Sequence, residues 1–270
     1  MTKPYAEVIG DPIAQSKSPL IHGFWLDALG IDAEYRRCHV TAEELGDYFA
    51  SRRDDRDWRG CNVTLPHKIA ALDHVEDRGD VRSSIGAINT ALRDGDALIG
   101  TNTDAGGFFA PIAGLDLAGE HAVVVGSGGA ARAILFALAR IDIGRVTLMC
   151  RSPLKGAALL SGFGLKGDVV ALGAPLAPTA ALLVNASPLG MAGQPPLDLD
   201  LAPLAENAVV YDIVYAPLET PLLAQAHDRG LDTVDGLEML VGQAALAFEL
   251  FFDAEPPRDR DDELRALLVA

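Results

Sequence analysis

Residues 122–139 decide the fold, and they read AVVVGSGGAARAILFALA. The apolar run 122–125 predicts a buried strand, the glycines after it a tight turn, and residues 132–139 a helix. Gly126, Gly128 and Ala131 match the pattern G-x-G-x-x-G/A, in which glycines let the backbone approach a dinucleotide pyrophosphate. Free N–H groups at the start of the helix attract that anion. An ordinary glycine-rich turn without a nucleotide is the alternative reading at this point.

Strands and helices alternate on both sides of this turn. Beyond it, the apolar strands that alternate with helices predict a doubly wound parallel sheet of the Rossmann type. More than a hundred residues precede it, and they predict a separate α/β domain. We expect a substrate-binding domain in residues 1–104 and 237–270 and a Rossmann domain in residues 105–236, with the active site in the cleft between them. The predicted strands are 6–9, 33–40, 60–64, 145–149, 181–186 and 208–213, with a hairpin in 85–101 and helices in 20–29 and 237–252. Residues 41–44, TAEE, form a capping-box pattern that predicts the start of a further helix.

Composition narrows the possible partners. The chain has 22 Lys and Arg against 38 Asp and Glu, a net charge of −16, which argues against nucleic-acid binding. No apolar run is long enough for a membrane span, and the first residues lack a signal-peptide pattern. The three cysteines, Cys38, Cys61 and Cys150, suggest no disulfide framework and fit a reducing cytoplasm. The expected partner is a small molecule, bound by a monomer or homodimer. An anionic ligand would need positive charge or oriented donors near its site, against the overall field.

Polar side chains cluster at the ends of the predicted strands of the first domain. Ligands of open α/β sheets bind at the carboxyl ends of strands. Hydroxyls, an amide, one lysine and one aspartate suit a small polyol that carries a carboxylate, because each buried polar group of such a ligand needs a partner. The six histidines show no metal-ligand spacing, so we expect no metal. The clustered residues are Ser16, Ser18, Thr64, Lys68, Asn89 and Asn102-Thr103-Asp104.

Lys68 and Asp104 have the chemistry of a catalytic pair. A lysine ammonium can stabilise the oxyanion that forms or collapses during hydride transfer and can pass it a proton. A nearby carboxylate orients that ammonium. From the residues alone, both could equally be surface charges, and Ser16 and Ser18 could simply cap the helix that follows them.

The chain resembles the shikimate dehydrogenases over nearly its whole length. Eight motifs follow one another in the order of that family, which makes the resemblance highly specific. They are 16–19 SKSP, 62–68 NVTLPHK, 86–90 GAINT, 100–104 GTNTD, 126–130 GSGGA, 185–191 NASPLGM, 211–215 YDIVY and 239–245 MLVGQAA.

The resemblance implies an activity and a role for each site residue. The activity is the reversible NADP-dependent reduction of 3-dehydroshikimate to shikimate in aromatic amino-acid biosynthesis. Lys68 and Asp104 would be catalytic. Ser16, Ser18 and Tyr215 would bind the substrate carboxylate, and Thr64, Asn89, Asp104 and Gln243 its hydroxyls. The implied cofactor-binding residues are Gly126, Ser127, Gly128, Gly129, Ala130, Arg151, Ser152, Lys155, Ser187 and Met239.

The residues after the second Rossmann strand favour NADP over NAD. An acidic residue there would bind the ribose 2′-hydroxyl of NAD. This chain instead has Arg151, Ser152 and Lys155, and two cations with a hydroxyl suit a 2′-phosphate. A basic loop without a ligand is the alternative.

The chain departs from the family pattern in three places: Gln15 replaces a common histidine, Cys150-Arg151-Ser152 replaces Asn-Arg-Thr, and Glu238 replaces a glycine expected near the nicotinamide. Alternative functions are a quinate/shikimate dehydrogenase with broader substrate or NAD use, and a binding paralogue without turnover. Retention of both Lys68 and Asp104 argues against the paralogue. A folate-linked dehydrogenase lacks support from the serine and 102–104 motifs.

Overall fold

The computed structural model describes residues 3–270, which divide into two compact units. Unit 1 comprises the chain up to Asp104 together with Val241–Ala270, and unit 2 is Ala105–Leu240. The first boundary coincides with the expected one, and the second lies four residues beyond it. The last long helix begins within unit 2: Met239 belongs to the apolar core of that unit, and a Cβ on Gly236 would lie 2.5 Å from the Val214 carbonyl oxygen.

Unit 1 is built on a five-stranded sheet of order β2-β1-β3-β4-β5. The first three strands are parallel and the last two form the predicted antiparallel hairpin. The central strand β1 is buried along its whole length. The strands are β1 Tyr5–Gly10, β2 Glu34–His39, β3 Trp58–Val63, β4 Thr90–Asp94 and β5 Ala97–Thr101, and the helices before the boundary are α1 Ser18–Leu29, α2 Leu45–Arg53 and α3 Val81–Ser84.

Local sequence explains where the helices of unit 1 begin and end. Pro19 lies in the first turn of α1, and Gly30 ends it in the left-handed conformation, φ 64°. The Thr41-x-x-Glu44 pattern forms, because the Glu44 carboxylate accepts from the Thr41 N–H and hydroxyl at 2.9 Å. Its helix nevertheless begins at Leu45, after a turn. The helix starts later than the pattern alone predicts.

Unit 2 contains a six-stranded, wholly parallel sheet of order β11-β10-β9-β6-β7-β8. This is the Rossmann order, so the predicted doubly wound sheet is confirmed. The sequence pattern does not predict the short strands β8 and β11. The strands are β6 His121–Val125, β7 Arg145–Met149, β8 Gly167–Val170, β9 Ala180–Asn185, β10 Val209–Asp212 and β11 Asp232–Val234. The helices from the first boundary onward are α4 Asp104–Phe109, α5 Gly129–Arg140, α6 Pro153–Gly162, α7 Pro221–Asp228 and α8 Gly236–Phe252. The last helix, α9 Asp261–Val269, belongs to unit 1.

Strand β6 shows why this sheet needs helices on both faces. Its side chains alternate between two apolar clusters: Ala122 and Val124 belong to one, and Val123 and Val125 to the other. A strand buried on both sides is a continuous apolar run, which is how it appears in the sequence. Within residues 3–270, no helix combines the length and apolarity needed to cross a bilayer.

Candidate active site

The predicted catalytic pair forms within unit 1. Lys68 lies in the turn that follows β3, and Asp104 is the first residue of α4. The Lys68 ammonium donates a hydrogen bond to Oδ2 of Asp104, and the two side chains are only 14% and 5% exposed. A lysine this enclosed, held by a carboxylate, differs from an ordinary surface charge, so the surface reading of this pair is wrong.

Asn89 orients the carboxylate of that pair. Its side-chain amide donates to Oδ1 of Asp104 at 2.9 Å, to the Thr103 hydroxyl at 2.8 Å and to Oε1 of Gln243 at 3.2 Å. Its Oδ1 accepts from the Thr103 N–H at 2.7 Å. Asn89 is 2% exposed. Asn89, Asp104 and Gln243 are therefore brought together as predicted, with Asn89 engaged by the protein at both ends of its amide.

A second polar cluster lies at the start of α1. Ser16 and Ser18 are 6% and 5% exposed, and the Ser18 N–H donates to Oγ of Ser16 at 3.3 Å. Arg37, on β2, donates from Nε at 3.0 Å and from Nη2 at 2.5 Å to the carbonyl oxygen of Ser16. We call residues 15–18 the serine loop. Nothing in the sequence pattern points to Arg37, since an arginine on a strand is ordinarily a solvated charge.

A chain of buried hydrogen bonds leads from Tyr35 to the Asp104 carboxylate. The Tyr35 hydroxyl, on β2, donates to Oδ1 of Asn62 at 2.6 Å. The Asn62 amide donates to the Thr90 hydroxyl at 3.1 Å, which in turn donates to Oδ1 of Asn89 at 3.1 Å. Burial raises the pKa of Tyr35 well above its usual value, so this hydroxyl keeps its proton. The sequence places Asn62 in a family motif without assigning it a role.

Thr64 lies just past β3, four residues before Lys68. Its N–H donates to the Ile9 carbonyl at 2.9 Å, and its methyl group packs against Gly10, where a Cβ would approach it to 2.6 Å. Thr64 is partly exposed. The glycine at position 10 thus leaves room for the threonine at the edge of the sheet where ligands bind.

The glycine turn of unit 2 has the geometry that a pyrophosphate requires. Gly126 adopts φ +116°, and a Cβ there would lie 2.7 Å from the Ala186 carbonyl oxygen. Its N–H donates to the Met149 carbonyl at 2.8 Å. The turn lies between β6 and β9, where the strand order reverses, and α5 starts at Gly129. Ser127 and Ala130 belong to the same strand–turn–helix unit, which is confirmed as predicted.

The predicted 2′-phosphate residues follow β7, the neighbouring strand. Arg151, Ser152 and Lys155 are all exposed, and Ser152 is the N-cap of α6. Cys150, which replaces the family's asparagine, is 3% exposed and its Sγ lies 3.2 Å from the Ser152 carbonyl oxygen. Two cations and a hydroxyl are therefore available at the carboxyl edge of the sheet.

A buried carboxylate shapes the loops after β9 and β10. Asp212 is fully buried; its Oδ1 accepts from the Asn185 amide at 2.9 Å and its Oδ2 from the Thr220 hydroxyl at 2.7 Å. Burial raises the pKa of this carboxyl, against its donors. Ser187 donates its hydroxyl to Oδ1 of Asn185 at 2.7 Å. Asp212 therefore fixes the loop of Ser187 and the segment that carries the partly exposed Tyr215.

The start of α8 accommodates the unusual Glu238. Asp235 precedes the helix, and its carboxylate accepts from the Leu237 N–H at 2.9 Å. Glu238 stands three residues after Asp235, the spacing of a capping box, and is exposed. The carboxylates lie at the end of the helix that favours negative charge. Met239 is 6% exposed within the apolar core of unit 2.

Comparisons with known proteins show the family of the chain. A family model described as the shikimate dehydrogenase substrate binding domain matches residues 8–91, and one described as the shikimate 5′-dehydrogenase C-terminal domain matches residues 236–261. The NADP(+)-dependent shikimate dehydrogenase of Sphingopyxis alaskensis is 69% identical over 268 residues, covering 99% of this chain and 97% of that protein.

Solved structures give the same picture. Shikimate 5-dehydrogenase of Thermus thermophilus, in complex with NADP(H) and shikimate, has TM-score 0.86 and 36% identity, covering 98% of this chain and 99% of that one. Quinate dehydrogenase of Corynebacterium glutamicum, in complex with NAD, has TM-score 0.87 and 28% identity, covering 98% and 99%. Fold, site and relatives together define an oxidoreductase that uses a nicotinamide dinucleotide. The chain belongs to the shikimate dehydrogenase family.

Proposed function

We propose that this chain reduces 3-dehydroshikimate to shikimate reversibly with NADP, and that unit 1 holds the substrate while unit 2 holds the cofactor. The observation that carries the proposal is the enclosed Lys68–Asp104 pair, oriented by Asn89. The 69% identity to a curated NADP(+)-dependent shikimate dehydrogenase supports the same reaction.

The residues of unit 1 divide into two groups with different tasks. Ser16 and Ser18 bind the substrate carboxylate, a role that we also propose for Tyr215. Thr64, Asn89, Asp104 and Gln243 bind the ring hydroxyls. Asp104 has a second task, because it holds the Lys68 ammonium in place. A polyol needs this many partners, since each of its hydroxyls loses water on binding.

The residues of unit 2 fit a phosphorylated dinucleotide. Gly126 packs against the Ala186 backbone and makes the tight turn, and a Cβ at Gly128 would meet nothing within 4 Å, so the backbone there is open to a pyrophosphate. The first N–H groups of α5 lack carbonyl partners within the helix and are available to an anion. Arg151, Ser152 and Lys155 would hold a 2′-phosphate, Arg151 by paired N–H bonds. Ser187 and Met239 would contact the nicotinamide end.

Lys68 performs the proton chemistry. The bound nicotinamide cofactor supplies the hydride in one direction and accepts it in the other. During reduction of the ketone, the Lys68 ammonium hydrogen-bonds to the carbonyl oxygen and donates a proton as negative charge develops on it. Asp104 and Asn89 keep that ammonium aimed at one oxygen, so the site does not have to reorganise when the charge appears.

A two-by-two assay tests the proposal. Formation of reduced cofactor is followed by absorbance with shikimate or quinate, each with NADP or NAD. We expect shikimate with NADP to give the highest kcat/KM. A preference for quinate or NAD would favour the broader alternative that the quinate dehydrogenase structure represents. No turnover with any combination would contradict the proposal and favour a binding protein.

We also propose that the enzyme works in the cytoplasm as a monomer or homodimer on a small-molecule substrate, without nucleic-acid or membrane partners. The cysteines Cys38, Cys61 and Cys150 are free, which suits a reducing compartment. Size-exclusion chromatography with light scattering tests the oligomeric state; a tetramer or larger assembly would contradict it.

A further inference from the structure

The serine loop is attached to the rest of unit 1 by two cationic side chains. From one side, the Arg37 guanidinium donates two hydrogen bonds to the Ser16 carbonyl oxygen, at 3.0 and 2.5 Å. From the other, the ammonium of Lys17 donates to the carbonyl oxygen of Leu268, in the last turn of α9. Both contacts fix backbone on either side of the Ser16 and Ser18 hydroxyls.

The contact of Lys17 with α9 has a physical basis. The last carbonyls of a helix have no partner within it and carry partial negative charge, so a lysine ammonium is favoured there. Helix α9 is itself held in place, because Leu264 and Leu268 are buried and the Arg260 guanidinium lies 4.8 Å from the ring centroid of Phe24 on α1. The helix starts at Asp261, where the match to the C-terminal family model ends.

Charge gives these contacts a second consequence. The chain carries a net charge of −16, which disfavours an anionic substrate. The Arg37 guanidinium places a positive charge against the Ser16 backbone, and Lys17, whose ammonium contacts Leu268, lies between the two buried serines in the chain. The Arg37 charge, held against the Ser16 backbone, adds to the positive potential near the serine hydroxyls, with an energy that falls as the distance grows.

We propose that Arg37 is a positioning residue of the carboxylate site, with Lys17 and α9 as its counterpart on the other side of the loop. Arg37 holds the Ser16 carbonyl so that the Ser16 and Ser18 hydroxyls face the ligand, and its charge favours a carboxylate. The inference rests on the proposed function, since it assumes that the serines bind the carboxylate of shikimate.

Arg36 offers a matched control on the same strand. Consecutive strand residues point to opposite faces, and Arg36 lies 3.5 Å over the Tyr5 ring, with Nε 3.5 Å from Oε1 of Glu7. Arg36→Gln and Arg37→Gln therefore remove the same charge from neighbouring positions, and only the second removes the contact with Ser16.

The test measures KM and kcat for shikimate, KM for NADP and the thermal midpoint in each variant. Arg37→Gln should raise KM for shikimate about tenfold, with kcat and KM for NADP within about twofold, because it removes ground-state binding of a carboxylate. Arg37→Lys retains the charge and should recover part of that loss. Lys17→Gln should raise KM for shikimate about threefold. Arg36→Gln should leave KM for shikimate unchanged.

Several results would overturn the inference while leaving the proposed function intact. They are a KM for shikimate in Arg37→Gln within about twofold of the unmodified enzyme, an equal rise in Arg36→Gln, or a rise in KM for NADP as large as that for shikimate. Absence of shikimate oxidation in the unmodified enzyme would contradict the proposed function itself.

Discussion

The polar residues of unit 1 and the cations of unit 2 are prepared for their ligands in different ways. Asp104 and Asn89 are almost wholly buried and are joined by a hydrogen bond, and further hydrogen bonds lead from Asn89 to Thr90, Asn62 and Tyr35. Arg151 and Lys155 are both exposed; Arg151 lies two residues before α6, and Lys155 lies in its first turn. We infer that the residues of unit 1 are arranged before a ligand binds, and that the exposed cations of unit 2 adjust their position when a ligand binds.

The difference follows from what each ligand requires. A polyol is recognised by the direction of its hydroxyls, and a flexible donor would lose side-chain entropy each time it bound. A phosphate accepts hydrogen bonds from many directions, so long exposed cations serve it well. We therefore expect variants of unit 1 to change catalysis and substrate binding sharply, and variants of the basic loop to change NADP binding alone.

The largest effect should come from Lys68→Ala. Removal of a group that donates a proton in the transition state should lower kcat about 10³-fold, with a modest loss of shikimate binding. Steady-state kinetics and calorimetry measure the two quantities. Lys166→Ala, which removes an exposed lysine of unit 2, is the control and should retain normal turnover. A near-normal kcat in Lys68→Ala would show that Lys68 is not the proton donor.

Buried groups of unit 1 should also make its stability depend on pH. Burial lowers the pKa of His22 to about 3 from a usual 6.5, and its ring stacks on Tyr35 at 3.9 Å. Between these values the unfolded chain binds a proton that the folded chain does not. The free energy of unfolding should thus fall as pH decreases from 6.5, by about 1.4 kcal/mol per unit from this group.

His22→Phe tests that effect, because the ring would keep its aromatic neighbours Trp25, Tyr35 and Phe248. Urea unfolding at about pH 6.5, 5.5 and 4.5, within the window between the two pKa values, gives the free energy of unfolding for both proteins. For each unit by which the pH decreases, the free energy of unfolding of the unmodified protein should fall by about 1.4 kcal/mol relative to that of His22→Phe. Parallel pH profiles would show that His22 is protonated without cost in the folded protein.

The serines should affect one ligand and not the other. Ser16→Ala and Ser18→Ala should each weaken shikimate binding about tenfold, because each removes a charge-assisted hydrogen bond to the carboxylate. The carboxamide of shikimate should bind the unmodified enzyme more weakly and be nearly insensitive to both changes. Calorimetry with both ligands measures this. Equal losses for acid and amide would mean that the serines only shape the loop.

An effect of about the same size, confined to the cofactor, should come from the exposed loop of Arg151. Arg151→Ala should raise KM for NADP about tenfold while KM for shikimate stays nearly constant, because the 2′-phosphate loses its paired donors. Arg140→Ala, at the far end of α5, removes the same charge and should change neither constant. A preference of the unmodified enzyme for NAD would contradict the proposal that Arg151 binds a 2′-phosphate.

The sequence predicts the fold well where local patterns decide it. The apolar run 145–149 predicts strand β7 with its observed bounds, and the glycine turn, the hairpin and α1 lie where expected. The short strands β8 and β11 escape prediction, since three or four residues at a sheet edge leave little pattern. The capping pattern predicts a start of α2 that is too early. Thr41 and Glu44 make the contacts of a capping box, but the residues between them form a turn, and the helix begins only at Leu45.

The candidate site is predictable in its members and only partly in its arrangement. The contacts of Asn89 join residues up to 154 positions apart in the chain, and no local pattern contains that information. No local pattern predicts the contact of Arg37, because its guanidinium donates to the carbonyl of Ser16, 21 positions away in the chain. Asp212 lies inside a recognised motif, and only its burial shows that it holds two loops.

We expect unit 1 to hold a shikimate site that is arranged before the cofactor binds. Titration calorimetry of shikimate into the cofactor-free Lys68→Ala variant, repeated with saturating NADP, tests it without turnover. We expect a single saturable site under both conditions, with Kd differing by less than about threefold. Binding of shikimate that occurs only when NADP is present would contradict the account.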